Sequence, residues 1–351
     1  MIKILILLKE SSNYGDYGSI TKIKTKTGLY NSARLVANSL NKVDGLEAEL
    51  MTCIDGNDID NKLTKFKPKI CIIEAIWVSP SKLIELNKRH PKVKFVIRVH
   101  SKIPFLAMEG SAIGTIKDYV KIPNVEVSFN NHATSKDLKI IGIPNTYLPN
   151  IYEEIFDFCS KNKNEKTERN RIGIYNIGCF GAIRPLKNQL NQAVASIMFA
   201  EENGVTVNFY VNSARTEQGG ESVLKNLRSL FKDTRHSLVE VGWLDRDDFL
   251  ELLSTMDVSM QVSLTESFNI VSADSVFVGV PVVISNEIDW LRNGIADPND
   301  CGSMAKQIRT ALNYKNLFIT QNLIALKRYN AKSKEEWVRK MIILGKDENE
   351  C

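Results

Sequence analysis

Short runs of apolar residues recur along this chain, and amphipathic stretches separate them. In the first half the runs are residues 3–8, 70–76, 94–100 and 125–129. Such runs are typical of parallel strands that are covered on both faces. A helix is expected between the first two runs, because residues 28–43 gather apolar side chains on one helical face. These are Leu29, Ala33, Val36, Ala37 and Leu40. The alternation predicts a doubly wound α/β sheet.

The same alternation starts again in the second half of the chain. Its apolar runs are residues 172–181, 205–211, 237–244, 258–263 and 280–285. A charged stretch with almost no apolar residue, 159–171, precedes the first of them and is too polar for a core. A second doubly wound sheet is therefore expected after this stretch. The length of 351 residues agrees with two domains, since one domain usually takes about 100 to 200 residues.

These boundaries divide the chain into four predicted parts. They are an N-terminal Rossmann-like domain (1–155), a linker or exposed loop (156–171), a C-terminal Rossmann-like domain (172–320) and a helical segment (321–351). The last segment contains Trp337 and is expected to pack back toward the N-terminal domain. Two such domains would face a central cleft at the carboxyl ends of both sheets, where ligands of this architecture bind.

Composition narrows the class of protein. Hydrophobic residues make up 43% of the chain and charged residues 25%, as in soluble globular proteins. The run at residues 2–8 is interrupted by Lys3 and followed by polar residues, which is not the pattern of a signal peptide. No run approaches the roughly 18 apolar residues of a membrane-spanning helix. We therefore expect a cytoplasmic protein without integral membrane contact.

Charge and cysteine content bear on possible partners. Residues 1–150 carry a net charge of +8 and the remainder −3. The basic half favours a polyanionic acceptor, although a lysine-rich solvated surface would explain the same excess. The six cysteines form no CxxC pair and share no metal-ligand spacing with the four histidines. The sequence therefore predicts reduced, structural cysteines and no metal site.

The strongest chemical signal lies in residues 256–285. A predicted strand, 258–262, leads into a loop that contains Glu266, and a helix is expected to begin near Ser267 to Asn269. The NH groups at a helix N-terminus favour anionic oxygens such as those of a diphosphate. Asp274 follows Glu266 by eight residues, about two helical turns, so both acids can face one ligand. The alternative for the pair alone is two acids on a solvated helix.

This stretch resembles the E-x7-E signature of retaining GT-B glycosyltransferases of the family 4 type. The residues in register are Glu266, Phe268, Asn269, Asp274, Gly279, Val280 and Pro281. The resemblance implies that Glu266 contacts the transferred sugar and that Asp274 holds the ribose hydroxyls, with Ser267, Phe268, Asn269 and Ile270 completing the donor loop. The family usually has glycine at 267 and 269 and glutamate at 274, so this chain departs from the pattern there.

A second element, residues 179–189, follows the first predicted strand of the donor domain. It contains Gly181, Arg184 and Lys187, and a guanidinium with an ammonium suits the two phosphates of a leaving nucleotide. Two surface cations would be the ordinary alternative. The element resembles the family's Gly-Arg…Lys segment, which implies that these cations stabilise the diphosphate. No metal or cofactor would then be needed besides the nucleotide sugar, for which a UDP-sugar is favoured.

Two weaker resemblances complete the donor side. Residues 242–258 resemble the family's segment before the donor loop, which implies that Trp243 and Leu244 seat the nucleobase. A core position is the alternative for the Trp243 side chain. Gly28, at the start of the predicted first helix, matches the family's glycine-rich N-terminal loop near the donor phosphate, although glycine is common in any loop.

The acceptor side is indicated by residues 98–110. His100 follows a predicted strand, and many family members have a histidine there that contacts sugar hydroxyls; a structural histidine is the alternative. The stretch, with Ser101 and Glu109, resembles glycosyltransferases encoded by bacteriophages. His132 follows the next strand and is a further candidate for the acceptor side.

These features together predict a retaining, metal-independent glycosyltransferase that uses a nucleotide diphosphate sugar. The favoured acceptor is a hydroxymethylated pyrimidine in phage DNA, because the phage-like resemblance and the basic first half agree. The basic loop 21–28 would then contact the phosphodiester backbone in the host cytoplasm. The alternatives are a cell-surface glycan or lipid-linked acceptor, a nucleotide-sugar epimerase or hydrolase on the same fold, and a binding module without activity.

Overall fold

The computed structural model describes residues 1–10, 28–153, 168–242 and 244–346. The chain forms two compact units. The first consists of Met1–Glu153 together with Tyr329–Cys351, and the second of Glu154–Arg328. None of the helices within the described ranges combines the length and the apolar character that a membrane span requires. Each unit has its own sheet and its own hydrophobic core.

The first unit is built on a parallel sheet with the strand order β2-β1-β3-β4-β5-β6. The strands are β1 (Ile2–Lys9), β2 (Leu46–Cys53), β3 (Ile70–Glu74), β4 (Lys94–Val99), β5 (Val125–Phe129) and β6 (Thr146–Tyr147). The helices between them are α1 (Gly28–Leu40), α2 (Asp58–Phe66), α3 (Pro80–Arg89), α4 (Ile103–Leu106), α5 (Ala112–Tyr119) and α6 (His132–Ile140).

Strand β1 contributes side chains to a hydrophobic core on each face of this sheet. Leu5 and Leu7 are buried in the core that contains residues of α2, α3 and α5. Ile4 and Ile6 are buried in a second core, which contains residues of α1 and the C-terminal Trp337. Because successive strand residues point to opposite faces, the uninterrupted apolar run supplies both cores.

The second unit has a parallel sheet with the order β11-β10-β7-β8-β9. Its strands are β7 (Ile174–Gly178), β8 (Thr206–Asn212), β9 (Ser237–Val241), β10 (Val258–Gln261) and β11 (Val282–Ile284). Its helices are α7 (Gln189–Asn203), α8 (Gly220–Phe231), α9 (Arg246–Ser254), α10 (Ile270–Phe277) and α11 (Cys301–Asn313). The final helix, α12 (Lys315–Gly345), carries the chain from this unit into the first.

The C-terminal half of α12 is part of the first unit's core. Trp337 is fully buried, and its indole NH donates to the carbonyl of Pro149 at 2.7 Å. Asn330 accepts a hydrogen bond from the backbone NH of Tyr152 at 2.9 Å. Trp337 and Met341 belong to the core that contains Ile4 and Ile6, so this segment packs on one face of the first sheet.

The expectation of two Rossmann-like α/β sheets is confirmed, while several local predictions were incomplete. β2 and α2 were not predicted, because β2 is an edge strand whose Glu47 and Glu49 interrupt the apolar run. The run at 70–76 ends as a strand at Glu74, since Ala75 adopts a φ of +70°. Of the predicted linker, only residues 168–171 are described, and their backbone is helical.

Candidate active site

The second sheet has a topological switch point between β7 and β10. From β7 the chain moves outward to β8 and β9, and then returns to the other side of β7 with β10. In open α/β sheets, ligands bind outside the carboxyl ends of the strands at such a point. The two segments that leave these strand ends are 179–188 and 262–269, which contain the candidate residues for phosphate and sugar.

These two segments are joined to each other by hydrogen bonds. The backbone NH of Leu264 donates to the carbonyl of Leu186 at 3.0 Å, and the side-chain amide of Asn188 donates to the carbonyl of Val262 at 3.1 Å. Gly181 lies in the first segment with a φ of +117°, a conformation that disfavours other residues. Its NH donates to the Asn212 side chain at 2.8 Å, which fixes the turn after β7.

Lys187 and Glu266, which are 79 residues apart, form an ion pair across the two segments. Both side chains are 12% exposed. Burial alone would raise the pKa of Glu266, but the charges of Lys187 and Arg184 and the bonds from Lys187 and Asn269 lower it below its ordinary value. Glu266 is therefore ionised at neutral pH. The structure thus places side by side a cation that was predicted to bind the diphosphate and an acid that was predicted to contact the transferred sugar.

Arg184 lies near this pair but bonds elsewhere. Its guanidinium donates to Glu217 at 3.1 Å, and its side chain is 19% exposed. The charge of Arg184 still acts on Glu266, because it contributes to the lowered pKa of that acid. The charges of both predicted cations, Arg184 and Lys187, therefore act on the Glu266 carboxylate.

Asp274 is placed differently from Glu266. Its carboxylate is 2% exposed and accepts a hydrogen bond from Arg246 at 2.6 Å. Arg246 was not predicted as a site residue. It is the first residue of α9 and lies in sequence beside Asp245, Asp247 and Asp248, so no local signal pointed to Asp274 as its partner. The two acids of the signature thus have separate cationic partners.

Other residues of the donor loop have structural contacts. Phe268 is buried and stacks on Trp290 with ring centroids 5.4 Å apart, and the Trp290 indole donates to the Phe268 carbonyl at 2.7 Å. Helix α10 begins at Ile270 with Asn269 as its N-cap, slightly later than the predicted start. Ser267 lies between Glu266 and Phe268 and is partly buried. The loop is therefore fixed on both sides of Glu266.

The remaining donor-side candidates lie at element ends. Leu244 is partly buried and precedes Asp245, whose side chain caps α9. Trp243 lies outside the described residues. Gly28 is the exposed first residue of α1, and the loop before it, including the basic stretch, is also outside them.

In the first unit, His100 belongs to a buried polar network at the carboxyl ends of neighbouring strands. Glu74 ends β3 and hydrogen-bonds to His100 Nε2, while Asn130, which follows β5, lies 3.3 Å from His100 Nδ1. Arg98 bonds to Glu74 at 3.1 and 3.2 Å, and both side chains are fully buried. Glu74 and Arg98 were not predicted as site residues, although each is a charged residue within an apolar run, 70–76 and 94–100.

The network holds His100 in its neutral form. Burial and the charge of Arg98 lower the pKa of His100, and the opposing effect of Glu74 does not restore it. Both ring nitrogens have partners, so the imidazole must give up one bond before it can bind another group. Its side chain is 17% exposed, which leaves it accessible.

The other acceptor-side candidates are not joined to this network by the described contacts. Ser101 is partly buried directly after His100, and Glu109 is exposed between α4 and α5. His132 begins α6 and packs edge-on against Tyr147, with ring centroids 5.4 Å apart. Only His100 among the four is thus held by a set of buried charges.

The architecture of the chain matches that of solved structures. The N-terminal domain of Candida albicans trehalose-6-phosphate phosphatase is 10% identical with a TM-score of 0.69, covering 98% of this chain and 97% of that one. Anabaena HepE, in complex with UDP and glucose, is 15% identical with a TM-score of 0.65 over 97% and 99% of the two chains.

An Escherichia coli trehalose-6-phosphate protein bound to UDP-2-fluoro glucose is 11% identical with a TM-score of 0.63, over 98% and 99% of the chains. No family model matches the chain, and no curated protein sequence matches it. The likeness therefore establishes the fold, the two-sheet GT-B type that the sequence predicted.

Proposed function

We propose that this protein is a retaining glycosyltransferase that transfers a sugar from a nucleotide diphosphate donor, with UDP-sugar as the favoured donor. The observation that carries the proposal is the Lys187–Glu266 ion pair at the switch point of the second sheet. A cation for phosphate and an acid for sugar hydroxyls stand there side by side. The neighbours that were solved with UDP, or with UDP-2-fluoro glucose, support the choice of donor.

Each residue has a defined role in this proposal. Lys187 and Arg184 bind the diphosphate and stabilise the charge that develops as it leaves, so the transfer requires no metal ion. The N-terminus of α10 adds NH groups that favour the same oxygens. Glu266 binds the hydroxyls of the transferred sugar, and Asp274, oriented by Arg246, binds the ribose.

The transfer retains the anomeric configuration of the sugar because of the way in which the acceptor is activated. The leaving diphosphate accepts the proton of the incoming hydroxyl on the same face of the sugar, and the enzyme positions both partners. His100, with Ser101, Glu109 and His132, is assigned to the acceptor side. Because Glu74 and Asn130 hold its ring, His100 serves to orient hydroxyls in this scheme.

The favoured acceptor is a hydroxymethylated pyrimidine in phage DNA. The net charge of +8 in residues 1–150 supports a polyanion, whose binding would be sensitive to salt. An enzyme acting on such a base has to expose it or flip it out of the duplex. The Escherichia coli trehalose-6-phosphate protein among the structural neighbours favours a small sugar acceptor as the second candidate.

Nucleotide release and product mass test this proposal. We expect UDP release from UDP-glucose, among UDP-, GDP- and ADP-sugars, together with a mass gain of one sugar on DNA that contains hydroxymethylated pyrimidine. Unmodified DNA and a panel of free sugars and sugar phosphates are the parallel acceptors. Mass gain on a small sugar alone would move the acceptor to the second candidate. Isomerised or hydrolysed donor without any acceptor product would replace the transferase by an epimerase or hydrolase.

A further inference from the structure

Asn269 occupies a position in the donor loop where the backbone is constrained. Its φ is +61°, in the left-handed region that favours glycine and tolerates asparagine. The residue is 5% exposed and is the N-cap of α10. An asparagine at this position adds to the loop a side-chain amide that glycine lacks.

Both ends of this amide form hydrogen bonds. The Oδ1 atom accepts from the backbone NH of Ser272 at 2.8 Å, which caps α10. The Nδ2 atom donates to Gln261 Oε1 at 2.9 Å and to Glu266 Oε2 at 3.1 Å. Since an amide nitrogen has two protons, these two bonds use both of them.

Gln261 determines which way the Asn269 amide points. It is the last residue of β10 and 2% exposed, and its Nε2 donates to the carbonyl of Phe180 at 3.1 Å. With its nitrogen committed there, its oxygen is left to accept from Asn269. A chain of hydrogen bonds thus runs from the backbone after β7, through the end of β10, to the Glu266 carboxylate.

We propose that Asn269 and Gln261 are positioning residues, which hold the Glu266 carboxylate in the orientation that binds the transferred sugar. Within the described residues, the bonds from Lys187 and Asn269 both end on Oε2. The Oε1 atom is therefore the one presented to a sugar hydroxyl. This inference rests on the proposed function, because it assumes that Glu266 contacts the sugar.

Asn269→Asp separates positioning from helix capping. Aspartate keeps the size, the tolerance of positive φ and the capping oxygen, but it loses the donor and places a second carboxylate beside Glu266. Gln261→Leu removes the oxygen that accepts from the Asn269 amide, so it affects the orientation of Glu266 indirectly, through Asn269. We expect kcat for UDP release from UDP-glucose to fall about 100-fold for Asn269→Asp and about tenfold for Gln261→Leu, since small misplacements cost this much. The dissociation constant for UDP should change less than threefold for Gln261→Leu, which alters no charge.

A matched control is available in the same unit. Asp300 caps α11 through bonds to the NH groups of Gly302 and Ser303, at 2.8 and 3.1 Å, and it has no role in the proposed site. Asp300→Gly should leave kcat unchanged. Asn269→Gly, which suits the backbone and removes both the cap and the donor, should lower kcat and shift its acid limb to higher pH, because the Asn269 bond lowers the pKa of Glu266.

The outcomes separate the positioning proposal from the proposed function. The positioning roles alone would be overturned if Glu266→Ala is inactive while Asn269→Asp and Gln261→Leu keep a kcat within threefold of the wild type. Equal loss in Asp300→Gly would also overturn them, by showing a general effect of capping. Wild-type protein that releases no UDP from UDP-glucose would overturn the proposed function itself. Glu266→Ala that releases UDP normally would overturn the assignment of Glu266 to the sugar, and with it the positioning roles.

Discussion

Glu266→Ala is expected to lower kcat for UDP-sugar turnover about a thousandfold, the upper range for removing one group that stabilises a transition state. The substitution removes the group that we assign to the sugar and leaves Lys187 without its partner carboxylate. The affinity for UDP should change little or increase, because the cation no longer has to give up an internal ion pair to bind phosphate. Steady-state kinetics and UDP titration of the same variant measure the two effects.

The control for this prediction is Glu251→Ala, which removes an exposed acid from α9 of the same unit. It should match the wild type in both measurements. The pH dependence provides a further check. Because the pKa of Glu266 is lowered in the folded protein, its ionised form should persist at neutral pH and be lost only as the pH falls below the ordinary carboxyl range. Activity retained in Glu266→Ala would contradict its assignment to the sugar.

Arg98→Met is expected to lower the free energy of unfolding by about 3 to 5 kcal/mol, the usual cost of breaking a buried ion pair on one side. Arg98 bonds to Glu74, to the carbonyls of Leu148 and Pro149 at 3.0 Å each, and to Asn150 at 2.7 Å. Its guanidinium also lies over the Trp337 ring, 5.1 Å from the centroid. Methionine fills most of the volume but leaves the Glu74 carboxylate buried without this cation.

Urea unfolding followed by circular dichroism measures this loss. Lys3→Met removes a surface cation from the Lys3–Glu47 pair, whose side chains are 40% and 36% exposed, and should cost less than about 1 kcal/mol. The double variant Glu74→Leu with Arg98→Met should recover part of the loss, since no buried charge is then left alone. A loss below about 1 kcal/mol in Arg98→Met would contradict the role of this pair in the first unit.

The sequence predicted the fold through its periodicity. Runs such as 70–76 gave the parallel strands, and the helical face of residues 28–43 gave α1. The exceptions were the two edge strands of the first sheet: glutamates interrupt the apolar run of β2, and β6 has only two residues. The edge strands β9 and β11 of the second sheet contain apolar runs and were predicted, so a strand was missed where its own apolar run is interrupted or short.

Individual residues of the candidate site could be predicted from the sequence, but the residues with which they pair could not. Glu266, Lys187 and Asp274 could be named from local motifs, whereas their partners depend on chain segments far apart in sequence. Arg246 binds Asp274 from 28 residues away, and Lys187 pairs with Glu266 from 79 residues away. Local periodicity contains no information on such pairings.

The measurement that tests the account most directly is calorimetric titration of UDP into the full chain, for the wild type and for Lys187→Ala. We predict saturable binding to the wild type and at least about tenfold weaker binding to Lys187→Ala, because one charge-assisted bond to phosphate contributes on the order of 1.5 to 3 kcal/mol. No heat of binding with UDP, GDP or ADP, or equal affinity in both proteins, would contradict a donor site built on Lys187.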